Sequence, residues 1–264
     1  MRTARLLAAV LIAGGSSLLP AAQLPVNFAE GSTHGFLVLR GANGAVLARG
    51  ELLQNSAGVE VEKRMTFRFG DGSLYDERVR FTADGTFALR HYELTQRGPA
   101  FEADTEVTLA GSGAYRVSTR KHDRKKADVT EGKVELPRDV YNGMIFVILK
   151  SMRPGIPETI HYVAFMPKPK VIELRIVPAG PQRITVGDQP RSSTHYVLKP
   201  RLGTWLKLAA ALTGRTPPDF HAWFLTDDVP AFVGYQGPLE NGGPILRIEL
   251  ESPRLPVPPS RAPG

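Results

Sequence analysis

Apolar and polar residues alternate along the first half of this chain with little interruption. In GVEVEKRMTFRFG, residues 58–70, Val59, Val61, Met65, Phe67 and Phe69 share one parity. Glu60, Glu62, Arg64, Thr66 and Arg68 share the other, and Lys63 is the lone charge in the apolar series. Period two sends successive side chains to opposite faces, so this stretch predicts a strand with one dry and one wet face. Asp71-Gly72 supplies the positive φ of a tight turn. The next strand sets Tyr75, Val79 and Phe81 against Asp76, Arg78 and Arg80, and Asp84-Gly85 turns the chain again. TFALRHYELT, FEADTEVTL and AYRVSTRK follow, separated by RGPA and GSG. Short strands joined by Gly-rich turns make an antiparallel meander. A single polar face throughout predicts a mainly β protein: one curved antiparallel sheet, an open or half barrel, with its dry side inward.

The pattern breaks at LPRDVYNGMIFVIL, residues 136–149, where six apolar residues follow Asn142-Gly143 without a polar partner. Asp139 suits a helix N-cap, Lys150 and Arg153 suit a helix C-terminus, and Pro154-Gly155 is a stop. These features predict a helix over 139–152 that covers the concave face, with a buried strand over 144–149 as the alternative. Strand patterns resume in TIHYVAF, KVIELRIV, RITVGD, THYVLK and GPILRIEL. Leu202, Trp205, Leu206, Ala209 and Leu212 repeat at helical spacing and predict a second short helix over 202–214. The organisation expected is a signal segment over 1–22, a β domain over 23–252 and a Pro-rich disordered tail over 253–264.

Composition sharpens the setting. Arg2 and Arg5 precede an apolar run from Leu6 to Ala13 and then small residues up to Ala22, the order of a cleaved secretory signal. Cutting falls after Ala22 or after Ser17. Removing Arg2 and Arg5 takes two charges off the formal +7, which leaves +5. A mildly basic exported protein, periplasmic or secreted, meets anionic surfaces more readily than nucleic acid. No stretch reaches the roughly 18 apolar residues of a membrane span. With no cysteine, a disulfide framework and thiolate chemistry are both excluded.

Candidate chemistry is sparse. His91-Tyr92, His161-Tyr162 and His195-Tyr196 each predict an inward Tyr and an outward His, and adjacent strands would bring the histidines together. His221, Asp227 and Asp228 form the best carboxylate and imidazole set for acid–base work, although a turn at Asp-Asp followed by a Pro-limited strand accounts for them better. No nucleophile elbow and no phosphate loop is present. No catalytic residue, metal or cofactor is therefore assigned. Arg120, Lys121, Arg124, Lys125 and Lys126 form a basic hairpin loop suited to an anionic surface.

The last hundred residues resemble an uncharacterised family of exported bacterial β-proteins. The resemblance rests on YVAFMPKPKVIELRIVPAGPQRITVGDQPRSSTHYVLKP and on HAWFLTDDVPAFVGYQGPLENGGPILRIEL, with Trp223, Asp228, Pro230 and a final strand Ile245–Leu250. It implies a half-barrel similar in outline to periplasmic lipoprotein carriers, and it assigns no catalytic residue. The expectation is a non-enzymatic protein binding a lipid or acyl chain in an apolar groove walled by Val59, Val61, Met65, Phe67, Phe69, Tyr75, Phe81 and Met144. The alternative is an envelope interaction module with a packed core, whose partner is another protein.

Overall fold

Alternation becomes a ladder. The computed structural model describes residues 23–165, 168–186, 188–201, 218–240 and 242–251. The signal segment expected over 1–22, the helix expected over 202–214 and the tail expected over 253–264 lie outside the described residues. Eight strands run up and down in chain order: β1 (Thr33–Arg40), β2 (Val46–Ala57), β3 (Glu60–Phe69), β4 (Leu74–Asp84), β5 (Thr86–Arg97), β6 (Ala103–Ala110), β7 (Ala114–Lys121) and β8 (Asp128–Lys133). A helix, α1 (Ile145–Lys150), separates them from a second meander. That meander comprises β9 (Glu158–Ala164), β10 (Lys170–Val186), β11 (Gln189–Arg201), β12 (Phe220–Leu225), β13 (Phe232–Gly237) and β14 (Leu246–Leu250).

The two meanders fuse where the last strand meets the first. β14 pairs antiparallel with β1, Leu37 opposite Leu250 and Leu39 opposite Ile248. The result is one 14-stranded antiparallel sheet, ordered β8-β7-β6-β5-β4-β3-β2-β1-β14-β13-β12-β11-β10-β9. It does not close into a barrel, because β8 and β9 do not pair. These two edges are consecutive in the chain, joined by the connection that carries α1.

The sheet is strongly curved. β5 and β9 stand ten steps apart, about 48 Å in a flat sheet at about 4.8 Å per step. Yet the rings of Tyr92 on β5 and Phe165, just past β9, stack at 6.0 Å with planes 4° apart. Only a sheet curled around its dry face brings them together. Inside the curl lie Phe67, Phe81, Phe87, Phe224, Met144 and Ile148, all fully buried. Outside, opposite charges alternate across the strands: Arg64 grips Asp76 with two hydrogen bonds, and Arg78 faces Glu62 at 3.6 Å. Exposed pairs of this kind add about 0–1 kcal/mol each.

The segment expected to be a helix over 139–152 is helical only over Ile145–Lys150. Gly143 has φ +70°, in the left-handed region, so a right-handed helix cannot pass through it. Asp139 is not the cap. Met144 occupies that position without a side-chain hydrogen bond. Residues 139–142 instead lie against the edge of β9. Tyr141 N–H donates to His161 O and His161 N–H donates to Asp139 O, each at 3.0 Å. The Asn142 amide then completes the edge, donating to Val163 O at 2.9 Å and accepting from Val163 N–H at 2.8 Å. One side chain thus imitates the backbone of a neighbouring strand.

Gly50 sets how closely the inner row packs. Leu37, Gly50, Phe67 and Tyr75 lie opposite one another across β1 to β4. A Cβ on Gly50 would meet Thr66 O at 2.0 Å and the Phe67 ring at 2.6 Å. Gly50→Ala is expected to destabilise the protein by about 1–3 kcal/mol, the usual range for overpacking a tight core. Urea unfolding measures it, and an unchanged midpoint would contradict this packing.

Candidate functional site

The residues expected to wall a mid-sheet groove are mostly core. Val61, Met65, Phe67, Tyr75, Phe81 and Met144 are at most 5% exposed, and they pack with α1. Phe69 is half-buried at the end of β3. Val59 is 45% exposed in the turn between β2 and β3, where Gly58 takes φ +65° and parity no longer decides the face.

Open space lies at one end of the dry face. A cavity of about 420 Å³ opens between the β3–β4 turn, the β5–β6 turn, the start of β2 and the connection from β13 to β14. Phe69 and Phe101 form its aromatic wall, ring edge against face at 5.5 Å. Leu239 and Leu246 back it, and Val46 and Leu47 form a rim 41% and 39% exposed. The turns around it are pinned. Gln96 donates to Leu239 O at 3.2 Å, and Ser73 Oγ accepts from Ala100 N–H at 3.0 Å. Asp71 and Glu240 are the ionisable residues of the lining. The Ser73 N–H, donated to Asp71 Oδ1 at 2.9 Å, holds that carboxyl below its usual range. Burial and then the neighbouring Glu102 raise that of Glu240.

Deeper along β3 and β4 the dry face carries two charges. Lys63, 3% exposed, donates from Nζ to Gly143 O, and its ammonium lies 5.1 Å from the Phe146 ring centroid. Burial lowers its pKa, opposed by the carboxylates of Glu77 and Glu30. Glu77 faces inward from β4, and its Oε1 accepts the hydroxyls of Tyr75 at 3.3 Å and Tyr92 at 3.1 Å. Lys63 stands out in the sequence as a break in the apolar parity. Glu77 shares the parity of Tyr75, Val79 and Phe81, the same signal, yet it is not among the residues expected inside.

The other candidate sets are dispersed. His91 bonds Glu93 on the wet face, His161 bonds the buried Asp139 at 2.8 Å, and the three His-Tyr strands are not adjacent. His195 meets His221 instead, N to N at 3.0 Å, and stacks on Trp223 at 4.9 Å. This takes His221 from the carboxylate set, since Asp227 pairs with Arg191 at 2.6 Å. No three His, Asp or Glu among the described residues are placed to hold a metal ion. In the basic loop Arg120 pairs with Asp104, while Lys121, Arg124, Lys125 and Lys126 are exposed at the β7–β8 turn. No helix among the described residues is long and apolar enough to cross a membrane.

The fold and site define an open, curled antiparallel β-sheet plugged by a short helix, with an apolar mouth at one end. No family model, curated protein or solved structure matches the chain.

Burial also sets how the fold answers alkali. Tyr75 and Tyr92 have pKa values raised well above 10.0 by burial and by Glu77, and burial raises Tyr141 and Tyr162 to about 12. Between pH 10 and 12 the unfolded chain releases these protons while the folded one keeps them, so stability falls as pH rises. Lys63 acts with the opposite sign up to its ordinary 10.5. Melting temperature is expected to drop steeply above pH 10, and less steeply in Tyr162→Phe, whose ring has only desolvation acting on it. Equal slopes for the two proteins would contradict this assignment.

Proposed function

We propose that this protein is a non-enzymatic exported protein, periplasmic or secreted, that binds a lipid or other acyl-chain ligand through the mouth cavity. The observation behind it is an apolar space of about 420 Å³ held open between hydrogen-bonded turns. That volume lies in the range of about 300–1,000 Å³ typical of small-molecule sites. The exposed Val46 and Leu47 at its rim are apolar surface that a bound chain would cover. The charged, apolar and small-residue order of residues 1–22 supports export. The C-terminal motifs that resemble exported half-barrel proteins agree with the fold class.

A second reading has its own observation. Among the described residues β8 leaves one edge unpaired, with Val129 47% exposed, and an extended segment of an envelope protein would add there as a further strand.

Native mass spectrometry of protein purified from a periplasm, followed by solvent extraction, separates the two. The carrier reading expects an extra mass of lipid size that solvent releases. In Ala100→Trp, a change at an exposed turn position on the cavity wall, occupancy is expected to fall about tenfold or more with the fold intact. A clean unliganded mass in both proteins would overturn the carrier reading and favour the edge.

A further inference from the structure

We infer that the mouth cavity selects an apolar ligand with a cationic head, such as a long-chain amine, over a fatty acid. This deepens the ligand-binding reading and rests on it. The chain as a whole is basic, with formal charge +7, yet the ionisable lining of its apolar cavity is entirely acidic. Asp71 sits on the β3–β4 turn and Glu240 on the connection to β14, and both line the cavity. Glu102, on the β5–β6 turn, lies close enough to raise the Glu240 pKa.

None of the three has a basic partner among the described residues, whereas several carboxylates on the strands do. Asp76 has Arg64, Glu106 has Arg97, Asp104 has Arg120 and Glu249 has Arg40. Asp71 accepts from the Ser73 N–H, and among the described residues no side chain donates to Glu240.

Consider an acyl chain against Phe69, Phe101 and Leu246. Its head group is left at the opening, beside these acids. A carboxylate there adds a negative charge beside the half-buried Glu240 and the exposed Asp71 and Glu102, and like charges repel. An ammonium supplies the missing counter-ion and gains charge-assisted hydrogen bonds to oxygens that no cation occupies. A neutral alcohol experiences neither effect, so it reports the apolar contribution by itself.

The test is displacement of Nile red from the mature protein at pH 7.5 by dodecylamine, dodecanoate and dodecanol, each below its micelle concentration. Dodecylamine is expected to displace the dye at about tenfold lower concentration than dodecanoate, with dodecanol between them. In the double variant Asp71→Asn with Glu240→Gln, the ratio of amine to carboxylate affinity is expected to fall to within about threefold. Because that ratio is internal to each protein, a change in fold stability does not mimic it. Dodecanoate binding as tightly as dodecylamine, or a preference that survives in the double variant, would overturn the head-group inference while leaving the apolar site standing. Failure of all three, dodecanol included, would overturn the site itself.

Discussion

A curved sheet with one dry face has two edges and an uncovered interior, and here a single connection covers the β9 edge and fills the interior. β8 and β9 are the edges, and they are neighbours in the chain. The segment between them enters the curl, places α1 against the core and lies along β9 before becoming it. The hydrogen bonds that fasten it are the two backbone bonds at His161, the Asp139 contact with the His161 ring and the paired amide bonds of Asn142 with Val163. Left unmade, each buried backbone group at Val163 would cost about 1–3 kcal/mol, so this contact outweighs any exposed ion pair on the outer face. Phe146 stacks on Phe232 at 4.1 Å, tying α1 to β13 on the opposite side of the curl.

The charges inside follow from the same connection. Gly143 turns left-handed so that the chain can drop toward β4 and β5, where it touches Val79 and Tyr92. Its carbonyl then points into the core with no strand or helix to receive it, and Lys63 supplies the donor. A buried ammonium is costly unless opposite charge lies near, and Glu77 and Glu30 provide it. Glu77 also accepts two tyrosine hydroxyls, so the polar groups admitted by the plug satisfy one another. With the centre filled in this way, the open space at the dry face lies at the mouth.

Much of the fold was legible because parity is a local property. The β3–β4 and β4–β5 turns fall at Asp-Gly positions, and the inner faces of Phe67, Phe81 and Tyr92 follow from alternation. What alternation cannot show is which distant strands pair. The join of β14 to β1, and hence the adjacency of β8 and β9 in the chain, depends on curvature summed over fourteen strands. Asp139 and Asn142 illustrate a second limit. The side-chain oxygens that cap a helix also pair with a strand edge, and only Gly143 at φ +70° decides between them. The site was partly legible for a related reason. Phe69 lines the mouth and Phe101 falls on the inward parity of FEADTEVTL, but Leu239 and Glu240 join it from a connection whose spacing has no period to read, and Leu246 from the start of β14.

Asn142 seals the β9 edge and holds the plug in the curl. Native-state hydrogen exchange on Asn142→Ala tests it most directly. Loss of these two bonds should let the plug open without unfolding the sheet, so amides of Tyr141, α1 and Val163 should exchange about tenfold or more faster than in the wild type. Those of β3 and β4 should keep their protection. Unchanged protection around Val163, or an equal loss across β3, β4 and α1, would contradict the account.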